Sequence, residues 1–151
     1  MVYGAILDRG EQGHTYLAKI FQSIEPVQRR YHWLITDCEC FPGDPKVSEL
    51  LSQEYCLISG EALSAMVKEE DFQWVWAVFS AFEQDVTLDD ILRYPLPYAN
   101  GNQELWKNPV SIQHPLAQIE IVAFDSTLTL FRSRDQALTA RYQDAFSKNQ
   151  D

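Results

Sequence analysis

The sequence predicts an α+β domain built on one mixed or mainly antiparallel β-sheet of about five to six strands, with four to five helices packed on it. Two patterns predict it. Short aromatic and β-branched runs recur along the chain and read as strands. Segments with helical i, i+3, i+4 apolar spacing or a clear N-cap lie between them. The length of 151 residues makes residues 1–151 a single domain, large enough to bury roughly 68–70% of its unfolded surface.

Val2–Leu7 is the first strand, and Gly10 and Gly13 break it. His14–Ile24 carries Leu17, Ile20, Phe21 and Ile24 on one helical face, and Glu25-Pro26 ends that helix. Tyr31–Asp37 is aromatic and β-branched, hence a strand. After the Phe41-Pro42-Gly43 turn, Asp44 caps a helix with Pro45 at its first position, running to about Gln53. Tyr55–Ile58 is a short strand. Ser59 opens a helix through about Glu69.

Phe72–Phe82 is the densest apolar run. Read as a strand, it puts Phe72, Trp74, Trp76, Val78 and Phe82 on one face and Val75, Ala77, Phe79 and Ala81 on the other, so it is a central strand covered on both sides. Thr87–Leu92 is a short capped helix with Asp90 three residues after its cap. Pro95–Pro115 is mostly loop, with a turn at Asn100-Gly101 and a helical turn near Glu104–Lys107. Ala117–Phe124 and Thr127–Arg132 form a hairpin with Ile119, Ile121 and Ala123 inward. Ser133 with Gln136 makes a capping box for a last helix bearing Leu138, Tyr142, Ala145 and Phe146.

The composition, 46% hydrophobic and 13% aromatic, excludes a disordered chain. No run of about 18 apolar residues spans a membrane, and no basic-then-apolar leader opens the chain. A cytoplasmic protein is expected. Three cysteines, Cys38, Cys40 and Cys56, are too few and odd in number for a disulfide framework; buried thiols are expected.

Net charge is −10, and one stretch carries it. Between Tyr31 and Ile91 stand thirteen Asp and Glu against Lys46 and Lys68. Such asymmetry disfavours nucleic acid and anionic membrane as ligands and suits a basic protein.

Asp37-Cys38-Glu39-Cys40 is the most suggestive chemical cluster. Strand periodicity puts Asp37 and Glu39 on one face and the cysteines on the other. Two such carboxylates could bind a hard cation or divide acid and base roles. The plain reading is a strand end with carboxylates in water and thiols inward, since no further ligand follows at a recognisable spacing. The C-x-C pair lacks the second ligand pair of a zinc site. Arg9–His14 joins a strand to a helix but fits no phosphate-loop spacing. His14, His32 and His114 stand in no metal or triad signature, and no cofactor is implied. Tyr94, Tyr98 and Trp106, in or beside the long loop, suit either interface anchoring or core capping.

The segments LITDCECFPGDP, LISGEAL, DFQWVWAVFSAF and NPVSIQHPLAQIEIVAFDSTLTLF together resemble small, uncharacterised proteins of Gram-positive bacteria. In size and acidity the chain is also similar to immunity proteins that neutralise secreted bacterial toxins. No catalytic or binding residue carries over from either resemblance. The expected function is a non-enzymatic, acidic protein-binding module, an immunity or inhibitor protein for a basic toxin. Its candidate contacts are Glu69, Glu70, Asp71, Glu83, Asp85, Asp89 and Asp90, with Tyr98 and Trp106 as anchors. One alternative is a housekeeping or assembly protein that oligomerises through exposed aromatics. A second is a metal-dependent hydrolase using Asp37 and Glu39.

Overall fold

A computed structural model of the chain describes residues 1–7 and 15–147. Arg9–His14, including the two glycines and the start of the first expected helix, lies outside them. The elements in chain order are β1 (Tyr3–Leu7), β2 (Thr15–Tyr16), α1 (Leu17–Ile24), β3 (His32–Cys40), α2 (Pro45–Leu51), β4 (Tyr55–Ser59), α3 (Gly60–Glu69), β5 (Gln73–Phe82), α4 (Leu88–Ile91), β6 (Ile119–Phe124), β7 (Leu128–Ser133) and α5 (Gln136–Ser147). Short 3₁₀ turns occupy Val27–Arg30 and Gln103–Trp106.

The sheet order is β1-β7-β6-β5-β3-β4, with β2 paired to β5. Every pairing is antiparallel. The expected mixed-or-antiparallel sheet of five to six strands is therefore antiparallel, with six strands along its main path. β5 lies between β3 and β6 and is buried on both faces, as its densely apolar run requires.

Its two faces are not those of simple alternation. Glu39 pairs with Trp76 but Cys40 with Trp74, so Val75 drops out of the ladder. This bulge exchanges the faces of the strand. Trp74 joins Ala77, Phe79 and Ala81 beneath the helices, whereas Trp76 and Val78 face the other way. The expected sharing of one face by Trp74 and Trp76 is thus corrected. The carbonyl of Val75 accepts the Ser126 N–H at 3.0 Å, so the excluded residue keeps a backbone partner. Asp125 and Ser126 supply the two positive φ angles of a tight hairpin turn.

One face of the sheet carries α1 and α3 with α5. Leu17, Ile20, Phe21 and Ile24 of α1 and Leu63 and Val67 of α3 pack there with Trp33, Trp74, Phe131 and Tyr142. α1 begins at Leu17 rather than His14 because Tyr16 is extended and pairs with Gln73. α3 starts under tight constraint. The Gly60 N–H donates to Tyr31 O at 2.8 Å, and a Cβ at Gly60 would lie 2.0 Å from Gln28 O.

The caps at Asp44, Ser59 and Thr87 follow the sequence reading. The Ser133–Gln136 box does not. Ser133 is the last residue of β7, paired with Tyr3 and Ile119. Asp135 Oδ1 instead accepts the N–H groups of Ala137 and Leu138 at 3.0 and 3.4 Å.

The second face is covered by α4 and by the long segment between α4 and β6. Its cores hold Leu34, Phe82, Ile91, Ile112 and Ala117, and Val78, Ala99, Leu105, Val122 and Leu130. Residues that alternate with Ile119 and Ile121 were expected to face outward. They face this covering instead, and Glu120 is buried.

Candidate functional site

The long loop is a layer of the molecule, held down at four places. Asp37 provides the first. β3 bulges between Thr36 and Glu39, where Asp37 takes φ +50°, a conformation that Asp tolerates better than most residues. The bend aims its carboxylate at the loop, where Oδ2 accepts the N–H groups of Ala99 and Asn100 at 2.8 and 2.9 Å. Thr36 Oγ1 donates to Pro97 O at 2.7 Å beside it. The Asn100-Gly101 turn follows, with Gly101 at φ +83° and Asn102 N–H on Ala99 O at 3.2 Å.

The second tie is the pair Glu120–Arg132, both almost fully buried. Arg132 Nη1 donates to Ser111 O at 3.1 Å and its Nη2 to Leu105 O. Glu120 Oε2 accepts Gln113 N–H at 3.0 Å. Burial raises the Glu120 pKa against the opposing effects of Gln113 and Arg132, and burial lowers that of Arg132.

His114 is the third tie, wholly buried against Phe82 and Tyr94. Its Nδ1 accepts Leu116 N–H at 3.1 Å, which leaves Nε2 to donate to Ile91 O at 2.9 Å. The fourth is Trp106, whose ring meets Phe124 edge-on at 5.0 Å; Phe124 in turn meets Trp76 at 4.7 Å. Trp106 nevertheless remains 45% exposed, so this aromatic row has a solvent side, and Tyr98 elsewhere on the loop is 48% exposed.

The candidate acidic contacts form two groups. Glu69, Glu70 and Asp71 precede β5, and Glu83, Asp85, Asp89 and Asp90 follow it. Ten residues of strand separate the groups, roughly 30 Å at the usual rise. Trp106 belongs to the first end, since Phe124 adjoins Trp76 and the Ser126 turn. Tyr98 lies nearer mid-strand: it follows Pro97, which Thr36 holds opposite Val78, and its N–H donates to Gln113 Oε1 at 2.9 Å.

Three of the acids have structural partners. Glu70 accepts Gly43 N–H at 3.1 and 2.9 Å and Asp44 N–H at 3.3 Å. Asp71 accepts Ala18 N–H at 3.4 Å, and burial raises its pKa. Asp90 closes a reciprocal capping box with Thr87 and sits 3.6 Å from Arg93. Glu69, Glu83, Asp85 and Asp89 are exposed.

Asp37 is committed to the loop backbone, and among the described residues no group of three or more His, Cys, Asp or Glu is placed to hold a metal ion. On the opposite side of the same strand end, Cys38 and Cys40 are half-buried with their sulfurs 3.5 Å apart. The bond between them, in which either sulfur can donate, raises the Cys38 pKa, together with burial, and lowers that of Cys40. They line an open groove of about 240 Å³ with Pro42, Ser48 and Leu51.

A larger groove of about 490 Å³ runs between α1 and α3, over Phe21 and Val67 and rimmed by Arg29, Lys68 and Asp71. Gln28 lies beneath it, donating to Glu25 and, at 3.5 Å, to Ser64 Oγ.

Glu120, Arg132 and His114 are the residues that sequence reasoning missed as organising groups. The one available signal was a charged residue on each hairpin strand, Glu120 and Arg132, which pair directly in register.

Among the described residues no helix is long and apolar enough to cross a membrane. No curated protein and no solved structure matches the chain. Residues 4–105, from β1 through the Gln103–Trp106 turn, match the family described as "Protein of unknown function (DUF2691)", and the chain belongs to that family.

Proposed function

We propose that the protein is a non-enzymatic, acidic binding module for a basic protein, most concretely an immunity or inhibitor protein for a basic bacterial toxin. The observation that carries this reading is the exposed aromatic row on a strongly acidic chain. Trp106 and Tyr98 present rigid, half-exposed rings on a loop tied to the sheet, and such rings are typical anchors of protein interfaces. In this reading they contact the partner together with Glu69, Glu70 and Asp71. Glu83, Asp85, Asp89 and Asp90 act from the other end, raising the association rate of a cationic partner.

Affinity capture with mass spectrometry tests the proposal, followed by kinetics on the captured partner. Trp106→Ala is expected to weaken binding by about 2 kcal/mol or more, as at an interface hot spot. Replacing Glu83, Asp85 and Asp89 together by Lys is expected to slow association and flatten its salt dependence, with dissociation little changed. Binding indifferent to both salt and charge reversal sinks the electrostatic part.

A second reading, self-assembly, draws on Phe41 and Ile6, which are 76% and 57% exposed. Sedimentation at several concentrations separates the two: a strict monomer excludes assembly.

A further inference from the structure

We propose that Cys38 and Cys40 form a dithiol site that exchanges with small neutral or cationic organic disulfides and closes reversibly to an intramolecular disulfide. The site stands on geometry. The two sulfurs are 3.5 Å apart, both cysteines are partly exposed, and the groove they line opens to solvent. Cys56 differs: it is buried, and burial raises its pKa.

The sulfurs have unequal roles. Either sulfur can donate to the other; with Cys38 as donor, Cys40 is the thiolate, its pKa lowered by that bond, and the thiolate is the nucleophile in exchange. It attacks one sulfur of a disulfide RS–SR, forming Cys40–S–SR and releasing RS⁻, which takes a proton from water. The Cys38 thiol then gives its proton to solvent base and attacks the Cys40 sulfur, expelling the second RS⁻. The protein dithiol loses two electrons and two protons, and RS–SR becomes two RSH.

Closure requires the sulfurs to approach to about 2 Å. Residues two apart on an extended strand have Cα atoms about 6.6 Å apart, near the upper limit for a disulfide, so the bond is a strained and easily reduced one. Glu39 also lines the groove, and the chain is net negative. Both features favour cationic or neutral disulfides over anionic ones.

The test treats the full chain with cystamine, a cationic disulfide, and in parallel with anionic glutathione disulfide, then alkylates and maps peptides by mass. The expected result is a Cys38–Cys40 bridge with Cys56 alkylated, formed faster with cystamine and reversed by dithiothreitol. Cys38→Ser is expected to stop at a stable mixed disulfide on Cys40. Cys40→Ser is expected to react roughly tenfold more slowly or worse, having lost the supported thiolate. Near-ultraviolet circular dichroism checks that both variants fold; if either does not, the peptide map of the natural chain decides by itself. Modification of Cys56, adducts that never resolve on the natural chain, or a Cys40→Ser chain reacting at the natural rate would each overturn the proposal.

Discussion

Glu120 and Arg132 stand directly opposite each other on β6 and β7, 3.5 Å apart and shut off from water by the loop they hold. A buried charge that loses its partner is costly, whereas replacing the whole pair by apolar side chains often is not. Arg132→Met is therefore expected to cost about 3–5 kcal/mol. The double replacement Glu120→Met with Arg132→Met is expected to cost less than that single change. Denaturant unfolding of the natural chain, both singles and the double gives the coupling directly.

Asp37 serves the loop through two backbone N–H groups and through its own positive φ. Asn suits the same backbone angle and keeps one acceptor oxygen, whereas Ala loses both advantages. Asp37→Ala is expected to cost about 1–3 kcal/mol, with Asp37→Asn closer to the natural chain. Hydrogen exchange at the Ala99 and Asn100 amides is expected to quicken most. Unchanged protection there in the Ala variant would refute the tie.

Gly60 is required by space rather than by backbone angle. A methyl group at this position meets the Gln28 carbonyl at 2.0 Å and the Tyr31 carbonyl at 2.7 Å, and neither is a side chain that can swing away. Gly60→Ala is expected to cost about 3 kcal/mol, the upper part of the usual overpacking range. Thermal unfolding measures it, and an unchanged melting temperature would contradict the close approach.

Asp90 carries a pH-dependent contribution. The Thr87 backbone N–H, then the Thr87 side chain, and lastly Arg93 lower its pKa in the folded chain. A carboxyl lowered by folding stabilises fully above its unfolded value, and this stabilisation disappears as pH falls through the folded value. Asp90→Asn is therefore expected to reduce stability at neutral pH and to converge with the natural chain in acid below the ordinary Asp range. Urea midpoints across that range decide it; parallel curves would exclude the linkage.

Most elements were legible because their signals are local. The apolar face of α1, the caps at Asp44, Ser59 and Thr87, and the densely apolar run of β5 each lie within a few residues. What escaped depends on distant partners. The alternation around Glu120 correctly set it apart from Ile119 and Ile121, but only the loop, which has no periodicity of its own, makes the second face an interior. Asp37 looked like a candidate ligand because its true partners are Ala99 and Asn100, far along the chain. Val75 leaves the ladder through a pairing shift against Glu39 and Cys40, which no run of apolar letters announces. The acidic stretch is continuous in sequence, yet β5 divides its candidate contacts into two groups.

The pairing of β1 with β7 has a consequence for synthesis. Tyr3–Leu7 is made long before its partner Leu128–Ser133. On the ribosome β1 must wait until β7 emerges before its backbone groups can be paired within the sheet. Distant pairing of this kind slows folding, because chain closure must be achieved before the contacts reward it. The molecule can begin with the antiparallel pair β3 and β4, which are joined through α2 and near in sequence, but it can finish only when β7 arrives. A nascent chain stalled before Leu128 would therefore display an unmatched strand edge, the kind of surface that chaperones bind and that aggregates template upon.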